Sequence, residues 1–411
     1  MNCNSPVIVI GAGLQGSCTA LELAQRGLDV ILMDRDEWPM NRTSLRNEGK
    51  IHLGLVYAND RSLATANLML QGALHFYPLL TRWIGTSINQ LSYSTPFYYL
   101  VATDSVLLPA QLSEHYGAVQ RAYEQLLAQS PQLNYLGYRP QQLYCSLDEA
   151  KIATYFQLSQ LQAGFQTVEL AVDTEQLAVL IRQAIASNPR IQFLPLHQVK
   201  AVERGCDYFQ IEGVSPEGLW KLSAQQVVNA TWENRLAIDR SVGLEPASGW
   251  LHRLKYRVVA HLPDELKGAP SATMVIGRYG DVVIRPNQTV YLSWYPAALQ
   301  GWSNELSPPP EWNAPCRGEV PPAQAQKLAH SVLSAIEQWF PGISKSSPFL
   351  VDAGAIFAHG YTDVDDRKSG LHDRTRIGVT SVNGYHSSST GKLTTAPLFA
   401  VTAANRVINT M

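Results

Sequence analysis

The first forty residues change hydrophobic period twice. Residues 7–10, Val-Ile-Val-Ile, are a continuous β-branched run, and a helical pattern through Ala20, Leu21, Leu23 and Ala24 then follows and stops near Gly27. A second apolar run at 30–33 ends in Asp34. Strand, helix and strand follow one another within about 30 residues, the length of one βαβ unit.

Beyond that unit the periods alternate. Residues 62–83 carry Leu63, Ala66, Leu70, Ala73, Leu74 and Tyr77 at helical spacing with one face inward, and 91–108 turn aromatic and β-branched (Tyr93, Phe97, Tyr98, Tyr99, Val101), which predicts strands. Helix returns over 117–129. Asp173 is placed to cap a helix running to 185, with Gln176 positioned to reciprocate. Strands are predicted at 191–194, 198–202 and 226–231. Residues 254–262 and 282–294 alternate as sheet strands, the latter with a turn at Pro286-Asn287. A proline-rich stretch at 307–322 reads as an extended surface loop and 323–340 as a helix. A strand at 377–382, a small-residue loop at 383–391 and a closing helix from Lys392 to about residue 408 end the chain. No internal repeat is visible.

Composition narrows the partners. The chain has 411 residues, enough for two or three domains by length. Lys plus Arg number 32 against 34 Asp plus Glu, a formal charge of −2, so there is no electrostatic case for nucleic acid or an anionic membrane surface. No stretch approaches the roughly 20 apolar residues of a membrane span, and Met1 to Pro6 lead into the first strand without a basic region or cleavage signal. Cys3, Cys18, Cys145, Cys206 and Cys316 show no ligand spacing, so no metal is expected. A reducing, cytoplasmic setting is the expectation.

The chemistry starts at Gly11-Ala12-Gly13-Leu14-Gln15-Gly16, directly after the first strand, with Asp34 ending the second. Glycine at 11 permits the tight turn, glycine at 13 lets a pyrophosphate approach the backbone, and glycine at 16 lets helix and strand pack closely. The helix N-terminus then offers donors and partial positive charge to phosphate. Asp34, with Arg35 beside it, stands where a carboxylate accepts hydrogen bonds from an adenosine ribose. The fingerprint serves FAD and NAD(P) alike.

Three later segments separate the two: Ser44-Leu45-Arg46-Asn47-Glu48-Gly49-Lys50-Ile51-His52, Val228-Asn229-Ala230-Thr231, and Gly391-Lys392-Leu393-Thr394-Thr395-Ala396-Pro397. Together with the glycine loop they resemble the FAD-dependent D-amino-acid oxidase/glycine oxidase superfamily, which also includes sarcosine oxidases and FAD-linked glycerol-3-phosphate and 2-hydroxyglutarate dehydrogenases. The resemblance implies an α/β protein in which a Rossmann-like FAD-binding domain (1–88, 150–235 and 350–411) is interleaved with an α+β substrate domain containing a mixed or antiparallel sheet (89–149 and 236–349). It implies noncovalent FAD, since Arg46 stands where relatives attach flavin through a histidine and Cys316 lies in the proline-rich loop. Ser44, Arg46, Asn47 and Gly49 would border the pyrophosphate and ring system, Val199 the adenine, and Ala230 and Thr231 the nucleotide. Gly391, Lys392 and Leu393 would aim helix donors at the flavin pyrimidine, where reduced flavin carries negative charge.

On the substrate side the resemblance implies an arginine pairing with a substrate carboxylate. Arg285, in Val283-Ile284-Arg285-Pro286, is the first candidate, with Tyr256 and Arg257 after it. The family's Gly-x-Arg-Pro pattern is replaced by Gly354-Ala355-Ile356-Phe357, and Arg367 or Arg374 could supply the missing charge. His52, near Tyr57, and His386 are candidate proton acceptors, because a histidine titrates near neutrality. Lys50 and Lys392 could bind an anion or assist oxygen. The expected reaction is oxidation of a small amine or amino acid at a C–N bond by hydride transfer to flavin N5, with oxygen or another acceptor reoxidising the flavin. Three alternatives stay open: a dehydrogenase of a hydroxy acid or polyol, a flavoprotein performing a non-redox step, and an FAD-binding subunit without catalysis.

Overall fold

The computed structural model describes residues 5–411 except Ser248, Arg278, Val364, Asp365 and Arg367. The strand Val7–Ile10 lies inside a six-stranded sheet, and all its residues are buried. Its alternation feeds two cores: Val7 and Val9 join one apolar cluster, Ile8 and Ile10 another. A continuous β-branched run is what a strand covered on both faces requires. Across the sheet the order is Gly378–Val382, Tyr385–Ser389, Val227–Asn229, Val7–Ile10, Val30–Met33 and Ile191–Leu194. Neighbours pair in parallel except for the hairpin of the first two.

One face of this sheet carries the helices Leu14–Gln25 and Ala396–Ile408, which contribute Leu14, Leu21, Ala400 and Ala403 to the same cluster as Val7 and Val9. The other is covered by a three-stranded antiparallel sheet, Gln198–Arg204, Phe209–Ser215 and Gly218–Ala224, through Val199, Val202, Phe209 and Ile211.

The second large sheet has nine strands, mostly antiparallel, organised on the strand Trp250–His261. That strand pairs along its whole length with Ser347–His359 and elsewhere with Thr289–Trp294 and Leu299–Ser303. Its even-numbered residues Leu254, Tyr256 and Val258 pack with Leu328, Val332 and Ile336 of the helix Pro322–Glu337. The odd-numbered Arg253, Lys255 and Arg257 therefore face away from that helix. The protein is thus a mixed α/β fold, and no helix among the described residues is long and apolar enough to cross a membrane.

Several expectations change. The strands Leu161–Thr167 and Ser347–His359 belong to the nine-stranded sheet, so the sheets do not divide the chain at 150 and 350. Residues 383–391 are not a plain loop: Tyr385–Ser389 is a buried strand, its serines paired into the sheet rather than exposed. The helix expected at 117–129 begins earlier, at Pro109, whose fixed φ suits a first helical turn. The proline-rich stretch buries Trp312 and Cys316 and forms short helical turns. Asp173 does cap its helix, accepting from the Glu175 and Gln176 N–H groups, but the Gln176 carbonyl accepts from the Ser92 N–H, 2.8 Å, instead of returning to the cap.

The glycines of the first turn do separate jobs. Gly11 has φ +92°, and a Cβ there would lie 2.8 Å from the Ala230 carbonyl oxygen. A Cβ on Gly16 would lie 1.8 Å from the Gly11 carbonyl oxygen, so strand and helix touch backbone to backbone. Gly16→Ala should destabilise the fold by about 3 kcal/mol or more, beyond ordinary overpacking. Chemical denaturation measures it; wild-type stability in this variant would show that the crossing is not tight.

Candidate active site

Between the two large sheets lies an open cavity of about 1560 Å³ counting the solvent at its mouth. The glycine turn forms one part of its wall, through Gly11, Gly13, Leu14 and Gln15, and Ala230 and Thr231 lie against it. Gly13 differs from Gly11 and Gly16. Its φ of −64° suits any residue, and a Cβ would meet only the Ser44 hydroxyl, at 3.1 Å. The fold does not need glycine there; the space in front of it does. The Ser44 hydroxyl accepts from the Leu14 N–H, 2.9 Å, and keeps its own proton for a ligand.

Asp34 holds this turn in shape. Its carboxylate accepts from the Ala12 N–H, 2.6 Å, and the Asp36 N–H, 2.9 Å, while lining the cavity. Burial raises its pKa against the pull of those two bonds. Arg35 lines the cavity too, paired with Glu233, and Val199 closes it nearby. Asn47 is a wall residue whose amide is spent on the loop: it donates to the Thr43 and Ser44 carbonyls and accepts from the Gly49 N–H.

Another part of the wall is charged. Glu48, His52, Arg253, Lys255, Arg374 and Lys392 all reach it, with the Tyr295 ring among them. Glu48 lies 3.8 Å from the Lys392 ammonium and 3.9 Å from His52 Nε2. Burial alone would raise the Glu48 carboxyl, but Lys392, His52 and Lys255 outweigh it and hold the group well below the usual carboxylate range. Lys255 sits 4.0 Å from Asp281 and 4.7 Å from the centre of the Tyr295 ring. His52 is buried, and neither ring nitrogen has a hydrogen-bond partner among the described residues. Burial lowers its pKa, so the ring is neutral near pH 7.

Arg374 is the exception in charge balance. It is buried, its Nε lacks a partner, and among the described residues no carboxylate lies within ion-pair distance of it. Burial and the charge of Arg253 pull its pKa down to about 10, which still leaves it cationic at neutral pH.

The glycine turn thus opens into a charged chamber between two sheets. The sequence profile of the family described as FAD dependent oxidoreductase matches residues 6–406. The chain belongs to this family.

Solved structures agree on the fold. Glycine oxidase from Geobacillus kaustophilus superposes with a TM-score of 0.69 at 13% identity, covering 99% of this chain and 95% of that one. Iminodiacetate oxidase from Chelativorans sp. BNC1 gives 0.67 at 17%, covering 98% and 95%. L-alpha-glycerophosphate oxidase from Mycoplasma pneumoniae, solved with FAD bound, gives 0.64 at 16%, covering 99% and 95%. Among curated proteins, the tRNA 5-methylaminomethyl-2-thiouridine biosynthesis bifunctional protein MnmC of Pseudomonas savastanoi pv. phaseolicola is 36% identical over 92 residues. That match covers 21% of this chain and 14% of the relative.

In a member of the FAD-dependent oxidoreductase family, the residues at the glycine turn fit the cofactor: Gly13 leaves an open cradle, and one continuous cavity runs from it to Gly391 and Leu393. Gly391, Lys392 and Leu393 line the cavity, although the Lys392 N–H is taken by the Thr390 carbonyl, 2.7 Å, which removes one expected donor. Gly16 and Gly49 do not line it. A Cβ on Gly49 would lie 2.1 Å from the Val172 carbonyl oxygen, so close packing explains that glycine.

The cavity also sorts the substrate-side candidates. Arg285 is not on its wall; it is buried 3.9 Å from Asp173 at the start of another helix. Tyr256 is on the opposite face of its strand, where its hydroxyl accepts from Gln324, 3.3 Å. Arg257 is on the cavity-side face but donates two parallel bonds to Asp352, 2.6 and 3.0 Å, and Arg46 pairs with the same carboxylate at 3.1 Å. Lys50 is satisfied by Asp281, 2.8 Å, and Thr273, and lies 3.9 Å over Phe97. His386 is buried in the first sheet between Ser381, 2.8 Å, and Gln226, 3.0 Å, away from the cavity. Arg367 lies outside the described residues. The residues not foreseen are Glu48, Arg253, Lys255 and Tyr295. A sequence signal existed for two of them, because Arg253, Lys255 and Arg257 are basic at every second position of one strand.

Two outcomes follow from this geometry. Gly13→Val should retain the wild-type circular dichroism spectrum yet purify without flavin; full FAD occupancy would reject this turn as the pyrophosphate cradle. Burial lowers His252 and His386 from 6.5 to about 4. Between those values the unfolded chain binds more protons, so stability should fall as pH drops from 6.5 towards 4, by up to about 3 kcal/mol for each ring. Urea unfolding of His386→Gln should show a shallower acid decline than wild type, and identical slopes would contradict the assignment.

Proposed function

We propose that this FAD-dependent oxidoreductase oxidises a small carboxylate-bearing amine, such as an amino acid, at its C–N bond, with FAD held noncovalently. The observation that carries the proposal is Arg374, a buried cation on the cavity wall with no carboxylate partner among the described residues. A guanidinium removed from water is costly unless an anion meets it, and a substrate carboxylate meets it with two parallel hydrogen bonds. Glu48, held ionised, supplies the anionic counterpart for a substrate ammonium. His52, held neutral with free ring nitrogens, takes the proton that an ammonium must lose before the C–H bond breaks. Bound FAD supplies the two-electron acceptor.

A second reading rests on His52 itself, since a neutral imidazole equally suits the hydroxyl proton of a hydroxy acid. Anaerobic mixing separates the two. Amino acids and N-alkyl amino acids should bleach the flavin while the matching hydroxy acids do not, and the reverse result would assign the alcohol branch. Arg374→Ala should raise KM for the bleaching substrate by roughly ten- to a hundredfold, the size of a lost charge-assisted bond of about 1.5–3 kcal/mol, at unchanged FAD content. An unchanged KM would remove Arg374 from the site.

A further inference from the structure

Four guanidinium groups line the cavity; Arg35 pairs with Glu233 and Arg42 with Asp36, and the other two, Arg253 and Arg374, are not equivalent. Arg253, from the strand Trp250–His261, donates from Nη1 to Asp363 Oδ1 at 2.7 Å. The other oxygen of Asp363 accepts from the Trp302 indole N–H at 2.8 Å. The carboxylate is thus gripped on both oxygens by groups of the large sheet, while the Arg253 side chain stays almost wholly buried. Arg374 has no such partner among the described residues, and its remaining cationic neighbours on the wall are already matched: Lys392 by Glu48, Lys255 by Asp281.

We infer that Asp363 is a specificity residue that limits the substrate to a single carboxylate. By giving Arg253 its acceptor from within the protein, it leaves one guanidinium for the substrate. A second substrate carboxylate near Arg253 would have to displace Asp363 or sit against it, and two like charges in a water-poor site repel strongly. The inference rests on the reading of Arg374 as the carboxylate partner and adds the class of acid that partner accepts.

The test uses the FAD-loaded protein and unreactive acids, read by perturbation of the flavin absorbance. Propionate should bind wild type at least about tenfold more tightly than succinate, the discrimination expected from one charge-assisted contact. Asp363→Asn keeps the shape of the side chain while removing its charge and one of its two acceptor oxygens. It should tighten succinate by about tenfold or more and change propionate by less than about threefold, and Asp363→Glu should restore the wild-type ranking. If propionate binds wild type but Asp363→Asn leaves the ranking as it was, Asp363 does not set the charge limit and the Arg374 reading stands alone. If neither acid binds wild type, the carboxylate reading fails and this inference falls with it.

Discussion

The structure depends on a backbone contact. The first helix meets the first strand at Gly16, where a single methyl would collide with the Gly11 carbonyl, and Gly11 in turn lies against the backbone of Ala230 and Thr231. That three-way approach fixes where the helix starts and which way its first N–H groups point. The adjacent Gly13 stays unconstrained, so the only use for the missing side chain is the room it leaves in the cavity. Asp34 braces the same turn from the second strand by accepting from the Ala12 N–H. The shape of the open turn is therefore set by the backbone packing of the six-stranded sheet's core, while Gly13 itself is free of that packing.

Across the cavity the governing constraint is burial of charge. The strand Trp250–His261 presents Arg253, Lys255 and Arg257 on one face, and burying three cations is tolerable only because Asp363, Asp281 and Asp352 meet them. Asp352 also takes Arg46, and Arg257 donates to the Leu45 carbonyl at 3.1 Å. The loop beside the cradle is thereby tied to the large sheet. Among the described residues Arg374 departs from this pattern, and a buried polar group left unmatched there points to a ligand.

The glycine turn was legible in the sequence because its signals are local: turn, helix start and acidic strand end follow one another within a single βαβ unit. The charged chamber was not, for two reasons. Its residues come from five separate stretches around Glu48, Lys255, Tyr295, Arg374 and Lys392, and only the tertiary fold brings them together. The face of a strand also depends on its register, so Tyr256 and Arg257, adjacent in sequence, point to opposite sides, and the aromatic one goes to the core. Arg285 misled for a related reason, since its strand-turn-strand setting is real but delivers it beside Asp173. His386 shows the same limit: a run of serines reads as a loop until parallel pairing with Val227–Asn229 makes it a buried strand.

The most direct measurement is a crystal structure of the protein with FAD and an unreactive monocarboxylate. The account predicts the pyrophosphate over Gly13, the ring system beside Lys392, and the carboxylate of the ligand on the Arg374 guanidinium. A flavin seated elsewhere, or a carboxylate bound away from Arg374 with FAD in place, would contradict it.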